Sequence, residues 1–281
     1  MVIFKTAATL QKYLQEQREK NSAIGFIPTM GALHEGHLSL IKRAKNDNLL
    51  TVCSIFLNPT QFNNKTDFEK YPVSTDEDIA LLLKTECDIL LLPAVEEIYP
   101  NGTNEVKTYD FGYLDTILEG AKRPGHFKGV GQVVGRLLDI VKPDTLYLGQ
   151  KDYQQCMVIS KLKNMLGLSS LTIKVCPTLR EPDGLAMSSR NRRLSEPNRK
   201  QAAAIYQCLV SIQAKKDTAD FNIVKKECTD LLNDKGFVTE YVSLANADTL
   251  QPLENYTPGL PMVALIAASI GEIRLIDNMI L

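Results

Sequence analysis

The sequence predicts an α/β protein in two parts: a parallel sheet covered by helices, followed by a smaller α+β domain. Through the first two thirds of the 281 residues, short apolar runs alternate with helical patterns. Such nearly continuous apolar strands are typical of parallel sheets that are buried on both faces. Near residues 177–182 the alternation stops, and two helical stretches precede a series of strand-like runs. We therefore expect domains at residues 1–178 and 179–281.

The predicted strands of the first domain are short runs rich in β-branched and apolar residues, which favour buried strands. In chain order, these runs cover residues 23–28, 49–57, 88–92, 144–148 and 171–176. A charged helix is predicted near the N-terminus and another at 74–87, where acidic residues follow Thr75. Ligands of parallel sheets bind beyond the carboxyl ends of the strands. The unusual polar clusters of the chain follow these strands and are therefore the candidate functional groups.

The second domain is predicted to place its helices before its strands. The helical stretches cover about 197–215 and 221–235, and the strand-like runs cover 237–245, 262–270 and 272–276. Helices and strands that are grouped in this way, rather than alternating, are typical of α+β domains. We therefore expect a small antiparallel sheet.

The composition argues against several classes of protein. The 32 Lys and Arg residues nearly balance the 33 Asp and Glu residues, whereas a nucleic-acid surface normally shows a basic excess. No run of ~18 apolar residues is present to span a bilayer, and the N-terminus does not resemble a signal peptide. The six cysteines form no C-x-x-C pair, which favours buried, reduced thiols. These features predict a cytoplasmic protein without a nucleic-acid or membrane partner.

The first polar cluster is PTMGALHEGH, at residues 28–37 directly after the first predicted strand. His34 and His37 are three residues apart and share one face of a helical turn. A helix start favours an anion, and Gly31 and Gly36 allow a phosphate to approach the backbone closely. Metal ligation or two ordinary surface histidines are the alternatives. The strand, the glycines and the helix start together favour phosphate binding.

The third histidine of the chain, His126, lies in a basic loop rich in glycine and proline, EGAKRPGHF at 119–127. A structural turn is the simpler interpretation of this loop. The functional interpretation is that the loop presents Arg123 and His126 to phosphate or carboxylate groups.

The glycines at 129–135, in GVGQVVG, resemble a dinucleotide-binding fingerprint, but that interpretation fails. The motif has one residue too many before its last glycine and follows a basic loop, whereas the fingerprint requires a strand, a turn and a helix. Gly131 and Gly135 are therefore predicted to allow close helix packing. A Walker A sequence is also absent from the chain.

Two further clusters follow predicted strands. Asn58 and Gln61, in NPTQF, are neutral amides that offer both donors and acceptors, although Asn-Pro alone often starts a turn. Lys151, in GQKDYQQ, is a cation at a strand-to-helix junction and suits a phosphate. Asp152 and Gln155 share one helical face beside it. A capped helix with Asp152 in its first turn is an equally good interpretation of this cluster.

The last cluster is the loop DGLAMSSRN at 183–191, which places two hydroxyls and a guanidinium in sequence at Ser188, Ser189 and Arg190. This set suits the β and γ phosphates of a nucleotide and the charge that develops on pyrophosphate. A generic solvated loop is the alternative, and the lack of a nearby acidic run to neutralise it weakens that alternative.

Taken together, these motifs carry a family resemblance. The chain contains, in this order, PTMGALHEGH, NPTQF, EGAKRPGHFKGVGQVV, GQKDYQQ and DGLAMSSRN, and it ends with GEIRLIDN. Over nearly its whole length it closely resembles the pantothenate synthetase (pantoate–β-alanine ligase) family. H-x-G-H alone also occurs in the nucleotidylyl transferases and class I aminoacyl-tRNA synthetases, and MSSRN is similar to their KMSKS loop. The resemblance implies a homodimer whose protomer has a Rossmann-like N-terminal domain and a small C-terminal lid.

The resemblance implies a reaction with ATP as co-substrate and Mg²⁺ to neutralise the triphosphate. The carboxylate of (R)-pantoate attacks the α-phosphate of ATP, releasing pyrophosphate and leaving pantoyl adenylate. The amine of β-alanine then attacks this mixed anhydride to give pantothenate and AMP, for coenzyme A biosynthesis. Because adenylation replaces a poor leaving group with AMP, the protein supplies mainly positioning and charge stabilisation. The alternative is a nucleotidylyltransferase that stops at a nucleotidylated product.

The resemblance also implies a role for each candidate residue. The implied catalytic residues, with His37 as proton donor, are His34, His37, Lys151, Ser188, Ser189 and Arg190. The implied ATP-binding residues, with Leu179 contacting adenine through its backbone, are Met30, Gly31, Ala32, Leu33, His34, Glu35, Gly36, His37, Gly149, Gln150, Lys151, Asp152, Leu179, Met187, Ser188, Ser189 and Arg190. The substrate-binding residues are Gln61 and Gln155 for pantoate, Gln61 and Asn58 for β-alanine, and Arg123 and His126. The metal ligands stay unassigned.

Overall fold

The computed structural model describes residues 1–62, 65–103 and 107–281. The chain forms two compact units. The first unit comprises Met1–Gly149 and Gln154–Pro177, and the second comprises Gln150–Tyr153 and Thr178–Leu281. The short segment Gln150–Tyr153 therefore belongs to the second unit, although it follows a strand of the first.

A parallel sheet forms the centre of the first unit, as the sequence predicts. Its strands are β1 (Val2–Phe4), β2 (Ile24–Thr29), β3 (Leu50–Ile55), β4 (Ile89–Leu91), β5 (Thr145–Gly149) and β6 (Thr172–Cys176). They lie in the order β1-β4-β3-β2-β5-β6, and neighbouring strands are parallel. Strands β2, β3 and β5 are almost entirely buried, which explains why the sequence shows them as apolar runs.

The edge strand β1 is missing from the predicted strands. It is only three residues long, and Val2 and Ile3 stay 43% and 42% exposed. Parallel pairing with β4, in which Val2 lies opposite Ile89, holds it in the sheet. Such a long-range contact leaves no periodic pattern in a short local window, so the sequence did not indicate it.

Helices connect the strands of the first unit. They are α1 (Ala7–Glu19), α2 (Glu35–Asn46), α3 (Lys65–Glu69), α4 (Thr75–Lys84), α5 (Val95–Ile98), α6 (Leu118–Lys122), α7 (His126–Val141) and α8 (Tyr153–Met165). Close packing of α7 is confirmed, because a Cβ on Gly131 would lie 2.7 Å from the Phe111 ring. A Cβ on Gly135 would lie 2.9 Å from the Tyr109 hydroxyl. No helix in the described part of the chain is long and apolar enough to cross a membrane.

The strand order of this sheet reverses between β2 and β5. From β2 the chain continues to β3 and β4 on one side, whereas β5 lies on the other side of β2. In open α/β sheets, ligands bind outside the carboxyl ends of the strands at such a switch point. The topology therefore makes the loop that follows β2 the leading place for a ligand in this unit.

The second unit has the predicted α+β composition. Its helices and strands are α9 (Glu196–Gln201), α10 (Ala204–Lys215), α11 (Phe221–Asp234), β7 (Phe237–Asn246), β8 (Pro252–Leu253), β9 (Met262–Ile270) and β10 (Ile273–Ile280). The strands form an antiparallel sheet in the order β10-β9-β7-β8. The apolar faces of α10 and α11 pack against β7, β9 and β10 to form the core of this unit.

Three details of the second unit differ from the prediction. The single helix predicted at 197–215 is two helices, because the chain tightens at Ala202 and Ala203 into bonds between residues three apart, such as Ile205 N–H to the Ala202 carbonyl. Alanine is the best helix former, so the sequence gives no sign of this break. The last strand also continues four residues beyond 276, and the two-residue strand β8 has too short a pattern to be predicted.

Candidate active site

The loop after β2 carries the first predicted cluster, and its backbone is tightly constrained. Gly31 has a φ of 83° and Ala32 a φ of 48°, so two consecutive residues are left-handed. Thr29 Oγ1 accepts the Gly31 N–H at 3.2 Å and donates to the Ser54 carbonyl on β3 at 2.8 Å. Ala32 and Leu33 are fully buried. The loop therefore packs onto the sheet and leads directly into α2.

His34 and His37 form a paired unit at the start of α2. The His37 N–H donates to the His34 carbonyl at 2.8 Å, and the His34 N–H donates to Nδ1 of His37 at 3.4 Å. The ring centroids are 4.0 Å apart. Because Nδ1 of His37 accepts a hydrogen bond, the proton of the neutral ring lies on Nε2. The ring then offers an N–H donor at a helix start, which suits an anionic oxygen.

A cluster of neutral amides follows β3. Asn58 is 1% exposed and caps the short turn at Pro59–Gln61 by accepting the Thr60 N–H at 3.3 Å. The Tyr99 hydroxyl donates to the same Asn58 oxygen at 2.8 Å. Burial raises the pKa of Tyr99, so its hydroxyl stays protonated and able to donate. These donors fix which end of the Asn58 amide carries the oxygen.

The orientation of Asn58 in turn determines the orientation of Gln61. Asn58 Nδ2 donates to Gln61 Oε1 at 3.1 Å and to the Gly129 carbonyl at 3.2 Å. Gln61 Nε2 then faces Met30, at 3.0 Å from the sulfur. A thioether is a weak acceptor, so this N–H group retains capacity for a stronger acceptor such as a carboxylate. The cluster thereby joins the loop after β2 to the loop after β3.

His126 anchors Arg123 to this cluster. Nδ1 of the buried His126 ring lies 2.8 Å from the Gln61 carbonyl, so this nitrogen carries the proton. Nε2 of the ring is then an acceptor for the Arg123 guanidinium at 3.1 Å. Both ring nitrogens thus face protein groups, and Arg123 is the member of the pair that carries a positive charge. Hydrogen bonds therefore connect five of the predicted residues in the first unit: Met30, Asn58, Gln61, Arg123 and His126.

Gly129 on α7 allows this cluster to assemble. A Cβ at this position would lie 2.4 Å from the Thr60 carbonyl oxygen and 2.6 Å from the Gln61 Cα. No side chain fits at such a distance from backbone atoms. The absence of a side chain at Gly129 therefore lets the turn that carries Asn58 and Gln61 touch the helix directly.

In the second unit, Asn278 on β10 holds the turn that contains Lys151. Its Nδ2 donates to the carbonyls of Gln150 and Lys151, both at 2.9 Å, and its Oδ1 accepts from Gln150 Nε2 at 3.2 Å. Lys151 Nζ lies 3.4 Å from Asp152. The lysine is therefore presented from a turn whose backbone carbonyls are already hydrogen-bonded.

The loop that carries the two serines is a short hairpin. Arg180 and Ala186 form a bridge, and the Met187 N–H donates to the Leu179 carbonyl at 3.0 Å. Ser188 Oγ accepts the Arg190 N–H at 3.3 Å and so begins the turn at Ser189–Arg193. Ser189 is buried at 6% exposure. The two hydroxyls therefore differ in setting, although their positions in sequence are adjacent.

A buried ion pair fixes the base of this hairpin. The Arg180 guanidinium contacts the Asp277 carboxylate at 2.5 and 3.1 Å and lies 4.4 Å from the Tyr206 ring centroid. Burial raises the pKa of Asp277, and Arg180 partly offsets this effect. The pair and Asn278 link the hairpin and the Lys151 turn to the same strand.

The remaining predicted residues lie on α2, β5, α8 and the hairpin of the second unit. Glu35 is exposed and pairs with Lys42 at 3.3 Å, Gly36 is in the first turn of α2, and Gly149 ends β5. Gln155 is partly buried on α8, and Leu179 is 40% exposed.

Among the residues that support the amide cluster and the two turns of the second unit, four were not predicted from the sequence. These are Tyr99, Arg180, Asp277 and Asn278. Asp277 and Asn278 carried the clearer signal, since they are two adjacent polar residues in a strand whose other residues, apart from Arg274, are apolar.

Comparison with known proteins extends over the whole chain. The family model for pantoate-beta-alanine ligase matches residues 2–280. A pantothenate synthetase from Cytophaga hutchinsonii is 44% identical over 284 residues, covering 100% of this chain and 99% of that protein. One from Porphyromonas gingivalis is 41% identical, covering 99% of this chain and 98% of that protein.

Solved structures agree with this comparison. Pantothenate synthetase from Thermus thermophilus superposes with a TM-score of 0.91 at 37% identity, covering 99% of both chains. Pantoate-beta-alanine ligase from Francisella tularensis, complexed with beta-gamma ATP and beta-alanine, gives a TM-score of 0.83 at 38% identity, covering 100% of this chain and 97% of that one. A family match over the full chain and relatives above 30% identity lead to one conclusion: the chain belongs to the pantoate–β-alanine ligase family.

Proposed function

We propose that the protein condenses (R)-pantoate with β-alanine in an ATP-dependent reaction that yields pantothenate, AMP and pyrophosphate. The match to the ligase family over residues 2–280 carries this proposal. A pantoate carboxylate oxygen attacks the α-phosphorus of ATP, and the bond from that phosphorus to pyrophosphate breaks. The β-alanine amine then attacks the carbonyl carbon, the bond to the bridging oxygen breaks, and AMP leaves with that oxygen. The amine proton is lost to solvent or base.

The amide cluster and Arg123 are proposed to bind the acid substrates. Gln61 Nε2 is oriented as a donor by Asn58 and Tyr99, and this orientation suits a carboxylate or hydroxyl oxygen. We propose that Gln61 and Gln155 bind pantoate and that Gln61 also binds β-alanine. Asn58 helps to place β-alanine by orienting Gln61, because its own amide group already has protein partners. His126 acts by holding Arg123, because its ring nitrogens already have protein partners.

The loop after β2 and the start of α2 are proposed to bind the ATP phosphates. His37 presents Nε2–H, which stabilises negative charge on phosphate oxygens and donates a proton where one is required. His34 stacks against it. We propose that Lys151, Ser188, Ser189 and Arg190 act on the triphosphate and that Gly149 and Met187 belong to the nucleotide site. Leu179 is proposed to contact adenine through its backbone. The family match over residues 2–280 supports this assignment.

Mg²⁺ is proposed to enter with ATP rather than to occupy a protein cage. Over residues 1–62, 65–103 and 107–281, no group of three or more His, Cys, Asp and Glu side chains is placed to hold a metal ion. Mg²⁺ keeps several waters and is commonly bound through substrate phosphates, where it neutralises charge. A homodimer and a cytoplasmic location are expected from the family, and light scattering of the purified protein tests the first of these.

The coupled reaction tests the proposed function. The protein is incubated with ATP, Mg²⁺, pantoate and β-alanine, and the products are identified by mass spectrometry. We expect pantothenate, AMP and pyrophosphate in equal amounts. A nucleotidylated product without amide would instead indicate a nucleotidylyltransferase, and the absence of pyrophosphate would refute both activities.

A further inference from the structure

A buried carboxylate outside the predicted site holds the loop after β2. Asp78 lies in the first turn of α4 and is 1% exposed. Its Oδ2 accepts the Ala32 N–H at 2.9 Å, and its Oδ1 accepts the Leu33 N–H at 2.7 Å. Ser74 Oγ also donates to Oδ1, at 3.2 Å. The carboxylate thus binds two consecutive backbone amides of a segment that is distant in sequence.

The conformation of the loop explains why a carboxylate is needed there. Gly31 and Ala32 are both left-handed, which a residue with a Cβ rarely adopts, so the bend at Ala32 requires an outside partner. Successive N–H groups in such a bend point to one side and form an anion-binding concavity. Asp78 occupies this concavity, and its charge also benefits from the amino end of α4. A Cβ on Gly31 would lie 3.0 Å from Asp78 Oδ2, which shows how closely loop and carboxylate fit.

The two backbone N–H groups that Asp78 binds lie directly before the histidine pair. Leu33 is followed directly by His34, the first residue of the histidine pair. Because the Ala32 and Leu33 N–H groups are held by Asp78, the direction in which the chain enters α2 is set by this contact. We infer that Asp78 is a positioning residue, which holds the loop so that His34 and His37 face the nucleotide phosphates. This inference rests on the function proposed above.

Asp78→Asn tests the inference with minimal change in shape. An amide has one acceptor oxygen, so its NH₂ group meets one of the two backbone N–H groups. We expect adenylate formation to fall at least ~10-fold. Asp88→Asn is the matched control, since Asp88 accepts the Thr51 N–H at 2.8 Å beside the amino end of β4. This control is expected to lose stability with activity within ~2-fold of wild type.

A double-mutant cycle separates positioning from a general structural role. Since Asp78 acts through the histidine pair, Asp78→Asn should have little further effect on adenylate formation in a His37→Ala background. Multiplicative effects of the two changes, or a wild-type rate in Asp78→Asn, would overturn the inference. Where Asp78→Asn does not fold, Ser74→Ala removes one donor to the carboxylate, and the same non-additivity is expected with a smaller loss.

Histidine ring spectra give a readout that is independent of activity. The chain has three histidines, so selectively labelled rings give three sets of NMR signals. Asp78→Asn should shift the signals of His34 and His37 and leave those of His126 in place, whereas Asp88→Asn should shift none. Unchanged His34 and His37 signals in folded Asp78→Asn would contradict the inference even if the wild-type protein makes no pantothenate. A wild-type protein that makes none, with shifted signals, would instead refute only the proposed function.

Discussion

The two units hold their candidate groups by different physical means. In the first unit, Asn58 and Gln61 are neutral amides whose orientations are set by a chain of hydrogen bonds that starts at Tyr99. In the second, the buried ion pair between Arg180 and Asp277 fixes the hairpin. A substitution in a neutral network removes one hydrogen bond, whereas removal of one partner from a buried ion pair leaves an uncompensated charge. The comparison teaches that a single substitution should destabilise the ion pair of the second unit more than the amide network of the first.

The largest expected effect comes from breaking the ion pair. Asp277→Ala leaves the Arg180 guanidinium, whose side chain is 19% exposed, without its buried carboxylate. We expect the free energy of unfolding to fall by about 3–5 kcal/mol. Asp183→Ala is the matched control, because its partner Arg199 forms a pair that is 33% and 40% exposed. That pair is expected to contribute about 0.2–1 kcal/mol. Urea denaturation measures the free energy of unfolding of both variants. Equal losses would contradict the larger contribution assigned to the Arg180–Asp277 pair.

Removal of the proposed charge stabiliser should lower the rate far more than it lowers the stability. His37→Ala deletes the Nε2–H donor, and we expect adenylate formation to fall by about 10²–10³-fold, or about 2.7–4 kcal/mol of barrier. Lys42→Ala, on the same helix and exposed, is expected to leave the rate unchanged. Rapid-quench measurement of pantoyl adenylate checks both variants. Formation at the wild-type rate in His37→Ala would remove this residue from the mechanism.

The neutral network predicts a smaller and more specific effect. Tyr99→Phe deletes the hydroxyl that orients Asn58, at a cost of about 0.5–1.5 kcal/mol for one hydrogen bond. We expect KM for pantoate or β-alanine to rise by up to ~10-fold, with KM for ATP unchanged. Tyr109→Phe removes a hydroxyl elsewhere against α7 and serves as the control. A rise in KM for ATP alone would show that the network serves the nucleotide instead.

The first unit also contains a charged cluster, whose effect on stability should depend on pH. Hydrogen bonds from Lys174 and Tyr147 lower the pKa of Asp47 to about 2. Because the folded pKa lies below the unfolded value of 3.8, the stabilisation is present above about pH 4 and is lost as the pH falls towards 2. Asp47→Asn should flatten this dependence. Urea denaturation at about pH 5 and about pH 2.5 measures it, and an unchanged slope in the variant would assign the acid sensitivity to other groups.

Much of the fold was predictable because buried parallel strands produce continuous apolar runs. The runs at 23–28 and 49–57 contain most of β2 and all of β3, and the polar clusters that follow them include Asn58 and Gln61. Beyond these, the sequence could not reveal contacts between distant segments. Asp78 and Tyr99 act through side chains that meet the site from other elements, and β1 depends on its pairing with β4. Local sequence patterns do not indicate which distant segments come into contact.

The transfer of oxygen from pantoate to AMP tests the central chemical claim most directly. With pantoate labelled by ¹⁸O in both carboxylate oxygens, attack on the α-phosphorus places one labelled oxygen in AMP and leaves the other in the amide of pantothenate. Mass spectrometry of the two products measures this division. We expect one ¹⁸O in each, and AMP without label would contradict activation of the acid through an adenylate.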